Sequence, residues 1–268
     1  MQYGLINLTV AQGKRLIAKA AAQLPQVQQA LEKGAIIIAG GTTNGYIAEE
    51  LTKASLEKQL YTAGVICQGR FCTTPEEERL APLVLVKGQV AEQSWTEALE
   101  TLTKGDIFFK GANALDPQGN IGILLGSPTG GTIGRAYGVL SARGIELISP
   151  VGLEKLIPSV PEAASMLGLN RLDSSWGLPS GMLSITGATI ISEDTALSFL
   201  SGCQVRAVAA GGLDESAGSV CLAFSGSEQA FFMAQSMLEA VKGEPPLTGH
   251  ARKCPCSVYC HYGRYITG

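Results

Sequence analysis

Charge is scarce in this chain. Asp, Glu, Lys and Arg make up 16% of 268 residues, with a net charge of −3, where an average soluble protein carries about 25%. That balance argues against a protein that grips nucleic acid through a basic face. Histidine is scarcer still, with His250 and His261 the only two. Without a G-x-S-x-G elbow or an H-E-x-x-H pair, a hydrolase built on histidine has nothing to carry it. No apolar run approaches the ~20 residues that span a bilayer, the densest stretches being Ala35–Ala39 and Leu83–Val86. No membrane partner is therefore expected; the N-terminus shows no basic segment followed by a long apolar one, so no signal peptide is expected either, and a cytoplasmic location with reduced thiols is. So little surface charge also leads us to expect that apolar surface is hidden in a homo-oligomer.

Apolar residues make up 46% of the chain and glycine is abundant, with 33 copies. The length allows one large domain or two modest ones, enough for a sizeable core. The first expected element is a helix. Thr9-Val-Ala-Gln12 reads as a capping box, and Leu16, Ala20, Leu24, Val27 and Leu31 recur at helical spacing. Pro25 should kink or restart it, and Gly34 should close it. Short β-branched runs come next at Ala35–Ala39, Leu83–Val86, Asp106–Phe109, Ile121–Leu125 and Ile145–Ser149, separated by helical stretches at Gly45–Leu51, Trp95–Thr103 and Gly134–Arg143. This alternation predicts an α/β fold with a mostly parallel, Rossmann-like sheet. Leu60–Pro82 fits the alternation poorly and reads as an irregular excursion.

Beyond Asn170–Gly181, a stretch of turn chemistry, the pattern reads strand (Leu183–Ile191), helix (Glu193–Leu200), strand (Gln204–Ala210), strand (Ser219–Phe224) and helix (Glu228–Val241). That βαββα order predicts a small α+β ferredoxin-like module. The expected division is therefore an α/β anion-binding domain over residues 1–168, the small module over 182–243 and a Cys-rich tail over 244–268. Glu244-Pro245-Pro246 ends the final helix, and the residues after it have no periodic apolar face, so the tail should be removable.

Three loops carry the chemistry. The first, Gly40-Gly41-Thr42-Thr43-Asn44, joins a buried strand to a helix. Its bare backbone and the free N–H groups of a helix start suit an anion, and the alternative is a tight turn capped by Thr43 or Asn44. It is neither a P-loop nor a dinucleotide fingerprint, because Tyr46 stands where the Walker lysine belongs and the G-x-G-x-x-G spacing is absent. The second loop delivers Lys110 from the end of an apolar strand, with Gly111, Asn113 and Asp116 after it. Lys110 can hold a phosphate or carboxylate, and Asp116 can act as acid or base or simply hold a β-turn. The third, Gly126–Gly134, offers Gly130, Gly131 and Thr132 as further donors or as turn and cap. Glu154, after the strand ending at Ser149, is a further acid–base candidate or a solvated glutamate at a helix start.

Cys254, Cys256 and Cys260, with His261 beside them, crowd soft ligands into a short tail. Their crowding departs from the separated pairs of structural zinc sites, so a metal site and a plain tail stay side by side. No cofactor is identified.

The order strand, Gly-Gly-Thr-Thr-Asn, helix, then Gly-Asp-Ile-Phe-Phe-Lys-Gly-Ala-Asn, resembles the superfamily of ribose-5-phosphate isomerase, glucosamine-6-phosphate deaminase, the CoA transferases and the sensor domains of DeoR-type regulators. The resemblance covers roughly residues 14–165. It implies phosphate binding at Gly41–Asn44 and a pocket lined by Lys110-Gly111. The aspartate-glycine-alanine-aspartate stretch of the isomerases is replaced here by Gly111-Ala-Asn-Ala-Leu-Asp116, and the catalytic glutamate of the CoA transferases has no counterpart. What the resemblance implies is an anionic small-molecule ligand and an isomerase-like reaction, with a non-catalytic sensor as the alternative.

Overall fold

The computed structural model describes residues 1–251. Strand β1 (Gln2–Leu8) comes first, ahead of helices α1 (Val10–Gln23) and α2 (Pro25–Lys33). Thr9 and Gln12 form the expected capping box, and Pro25 restarts the helix rather than kinking it, since an N1 proline lacks only an N–H that has no partner there. Gly34 closes α2. Strand β2 (Ala35–Ile38) then leads into α3 (Thr42–Thr52). Next come the hairpin β3 (Gly64–Cys67) and β4 (Arg70–Thr73), strands β5 (Leu83–Val86) and β6 (Gln89–Val90), helix α4 (Trp95–Thr101) and strand β7 (Ile107–Phe109). The middle of the chain holds β8 (Ala114–Leu115), β9 (Ile121–Leu125), α5 (Gly131–Arg143), β10 (Glu146–Pro150) and α6 (Val160–Ser165). Strands β11 (Gly181–Ile185) and β12 (Thr189–Ile191), helix α7 (Glu193–Ser201), strands β13 (Gln204–Gly211) and β14 (Ser219–Gly226) and helix α8 (Glu228–Val241) complete it.

The fold is mixed α/β, centred on a six-stranded sheet of order β12-β10-β7-β2-β5-β6. Strands β12, β10, β7 and β2 run parallel, β5 pairs antiparallel with β2, and β6 pairs antiparallel with β5. Alternation along each strand feeds two cores. Ile36, Ile38, Ile107, Phe109 and Ile148 face the side covered by α1, α2, α3, α7 and α8. Ile37, Phe108 and Leu147 face the side covered by α4, α5 and the antiparallel sheet β11-β9-β8.

The structure differs from the expectations at five points. Residues 2–8 form a strand, pairing antiparallel with β14 across Leu8↔Val220 to Gln2↔Gly226. The expected strand over 183–191 is two strands, parted at Gly187, whose φ is +76°. One, β11, pairs with β9, and the other, β12, joins the main sheet beside β10. The expected ferredoxin-like unit therefore loses its first strand to the main sheet and takes β1 instead, giving a sheet of order β1-β14-β13. The division between residues 168 and 182 is crossed accordingly, and Leu16, Ile36, Leu222 and Leu238 share one core. Likewise Ile121–Leu125 and Leu83–Val86 are antiparallel strands and not members of a parallel ladder.

The segment after α8 docks. The Lys242 carbonyl accepts a hydrogen bond from Gln12 at 2.8 Å, Glu244 pairs with Arg15 at 2.7 Å, Leu247 packs on the core and His250 meets Glu78 at 2.9 Å. Arg15 is surrounded by Glu49, Glu50 and Glu244. Burial works against its charge, but the bonds to Glu244 and Glu49 outweigh that and hold it firmly protonated. The expectation of a removable tail is thus corrected for residues 244–251. Cys254, Cys256 and Cys260 lie outside the described residues. Among the described residues, no helix is long and apolar enough to cross a membrane.

Candidate functional site

A cavity of about 550 Å³ opens at the carboxyl ends of β2 and β7, where ligands collect in open α/β sheets. Its floor is Gly40–Thr43 after β2, Lys110–Asn113 after β7, and Lys155 from the short turn Leu153–Lys155 after β10. Its outer wall is the β3–β4 hairpin with Val65, Ile66 and Phe71, and the C-terminal segment Leu247–His250. The hairpin is closed by Gln68 and Gly69 with φ of +52° and +72°, a two-residue turn whose twist matches the strands.

Three lysines and no Asp or Glu line this cavity among the described residues. Lys110 Nζ donates to the Gly40 carbonyl at 3.0 Å, and Lys155 Nζ donates to the Ala112 carbonyl at 2.9 Å. Lys14 reaches in from α1. None of the three forms an ion pair among the described residues. Burial, then the charge of Lys155, pull the Lys110 amine down to about 8. Burial and Lys155 also bring Lys14 down to about 8, against the fields of Glu154 and Glu193 that favour its charge. An ammonium enclosed by protein without a counter-ion is unfavourable unless something anionic joins it.

The glycine loop adds donors. Gly41 caps α3 with no side-chain bond, and the first intrahelical donor is Gly45 to the Gly41 carbonyl at 2.9 Å. The N–H groups of Thr42 and Thr43 precede it and have no intrahelical acceptor. A methyl group on Gly40 or Gly41 would come no closer than 3.6 Å or 3.8 Å to neighbouring protein. Packing does not demand glycine at either position; both line the cavity, and bare backbone leaves that space open. Thr43, only 3% exposed, and Thr42 line it too.

The other expected residues divide sharply. Asn44 is fully buried and does not line the cavity. Its Nδ2 donates to Ala39 at 2.7 Å and Phe109 at 3.3 Å, tying the ends of β2 and β7 together. Gly130 and Gly131 have φ of +75° and +59°, so they serve the turn into α5, and within the 130–132 triplet only Thr132 reaches the cavity. Asp116 is a loop anchor. It accepts from the N–H groups of Gln118, Asn120 and Val160 and from Asn120 Nδ2, at 2.9 to 3.1 Å. Burial opposes its charge, but those bonds prevail and hold its carboxyl below the usual range, and Asp116 does not line the cavity. Glu154 does not line the cavity; it sits behind it, close to buried Glu193. Burial, then the charge of Glu154, push Glu193 up to about 7.

Lys14 and Lys155 were missed from the sequence. Lys14 shares a stripe with Ala11 and Ala18, both buried on α1, and a charge on an apolar stripe was the available signal. Lys155 comes after β10 much as Lys110 comes after β7. Among the described residues, no group of three His, Cys, Asp or Glu side chains is placed to hold a metal. In comparisons with known proteins, the chain matches no family model, no curated protein and no solved structure.

Proposed function

We propose that the chain binds a small phosphorylated or carboxylated metabolite in this cavity and acts on it as an isomerase-like enzyme. The observation that carries this reading is the cavity itself, lined by three lysines with no ion-pair partner and by no carboxylate among the described residues. The N–H groups and hydroxyls of Thr42 and Thr43 receive the anionic group at the start of α3. Lys14 supplies charge. Lys110, poised between that anion and the rest of the ligand, polarises a carbonyl or moves a proton. The resemblance of the Gly-Gly-Thr-Thr-Asn loop to sugar-phosphate-binding proteins makes sugar phosphates the compounds to try first.

A second reading is a sensor that binds the same ligand without turnover. It is favoured by the exclusion of Asp116 and Glu154 from the cavity, which leaves no carboxylate base there among the described residues.

Calorimetric titration with ribose 5-phosphate, glucosamine 6-phosphate and inorganic pyrophosphate tests the site. Lys14 and Lys110 each fall from mostly charged to mostly neutral between pH 7 and 9, so affinity should drop about 100-fold across that range, roughly tenfold per amine. Lack of binding by all three, or affinity level to pH 9, would overturn the reading. Turnover followed by NMR separates the enzyme from the sensor.

A further inference from the structure

The three lysines are not equivalent. Lys14 lies in the field of Glu154 and Glu193, which favours its charged form. Lys155 stands on the short turn after β10 with its ammonium on the Ala112 carbonyl. Lys110 projects from the end of the central strand β7, and its ammonium donates to the Gly40 carbonyl, one residue before the α3 cap. Among the described residues no carboxylate lines the cavity beside it, and the neighbouring charge acting on it is another lysine. An amine so placed, enclosed and next to a second cation, is the arrangement that turns lysine into a nucleophile.

We infer that Lys110 forms an imine with an aldehyde or ketone ligand whose anionic group is seated at Gly41–Thr43. This deepens the proposed function and rests on it, naming the ligand class as an anionic carbonyl compound. The neutral Nζ attacks the carbonyl carbon, forming the C–N bond, while the C=O π electrons move to oxygen. Nζ releases a proton to solvent and the oxygen takes one up. The carbinolamine oxygen takes a second proton from solvent and leaves as water, the nitrogen lone pair closing the C=N bond, so that nitrogen keeps its remaining proton. Amine plus carbonyl plus one proton gives protonated imine plus water, with no oxidant or reductant. The protonated imine acidifies the adjacent C–H, which is what an isomerisation next to a carbonyl requires. The short distance from Gly40 to Gly41 accounts for the geometry, because an anion at the helix start holds the remainder of the ligand beside Nζ.

Pyridoxal 5′-phosphate, an aldehyde carrying a phosphate, is a suitable probe. The full chain would be incubated with it, reduced with borohydride and mapped by peptide mass. The expected result is one adduct per chain at Lys110, suppressed by excess inorganic pyrophosphate and forming faster as pH rises towards 8. Lys110→Arg, which keeps the positive charge but cannot form the imine, should take no adduct in the cavity. Labelling of Lys14 or Lys155 with Lys110 unmodified, or labelling spread over exposed lysines alone, would overturn the inference. If the arginine variant fails to fold, the wild-type map decides the question. Pyrophosphate binding without modification of Lys110 sinks the imine and leaves the anion site standing, whereas loss of pyrophosphate binding itself sinks the anion site.

Discussion

Replacing Lys110 by Met should stabilise the ligand-free protein at neutral pH while weakening its affinity for anions about tenfold. In the fold the amine titrates at about 8, against roughly 10.4 in an unfolded chain. At about 1.4 kcal/mol per tenfold, the charged form therefore carries about 3 kcal/mol of unfavourable free energy at pH 7. The bond to Gly40 at 3.0 Å recovers part of this, about 1 kcal/mol. Met keeps the length and drops the charge, so the net gain is about 2 kcal/mol, or roughly 4–8 °C in Tm for a chain of this size. The sign with pH comes from proton counting. Between pH 8 and 10.5 the unfolded wild type holds more protons at this residue than the folded one, so wild-type stability rises with pH across that window. The variant lacks that rise, and its advantage should vanish near pH 10.5. Thermal unfolding of both proteins at about pH 7 and pH 10.5 is the assay. A variant less stable at neutral pH, or a difference that ignores pH, would show that the ammonium is a structural tie and that the reasoning fails.

Two further outcomes are expected. Thr43→Ala should weaken pyrophosphate binding by about 1–2 kcal/mol, as for a lost bond to a charged group, with little change in Tm; calorimetry beside a melting curve checks both, and a large loss of stability with unchanged binding would make Thr43 a structural residue only. Truncation after Gly243 removes the Glu244 partner of Arg15, whose side chains are 13% and 14% exposed, and the Leu247 contact. Arg15 keeps Glu49 and Glu50, so the loss should sit at the low end for a broken buried pair, about 3 kcal/mol, measurable by urea unfolding; an unchanged midpoint would refute the docking of this segment.

The charge deficit at the site also explains a tension in the molecule. Ammoniums without an ion-pair partner among the described residues and the buried Glu193 all lower the stability of the empty protein, and a bound anion offsets the lysine part. The greater stability expected with Met at position 110 and the weaker binding are two sides of that one electrostatic fact.

What the sequence determined alone was local. The Thr9–Gln12 capping box, the restart at Pro25, the closure at Gly34 and the strand–loop–helix from Ala35 to Thr52 each depend on backbone sterics and hydrogen bonds a few residues apart. The alternation of β-branched runs and helices likewise placed Lys110 at a strand end. Tertiary structure decided what depends on partners distant in the chain. Strand β1 has no local signal, because its register is set by β14 more than two hundred residues later. Strands β11 and β12 share one apolar run yet enter different sheets, since the turn at Gly187 lets each pair with a different neighbour. Asp116 became an anchor because Val160 and Asn120 donate to it, and the acid–base reading of its sequence context could not contain that. The meeting of Lys14, Lys110 and Lys155 is of the same kind. They come from a helix, a strand end and a turn that are brought together only when the two cores close on the sheet, and the lowered pKa values of Lys14 and Lys110 exist only in that enclosure.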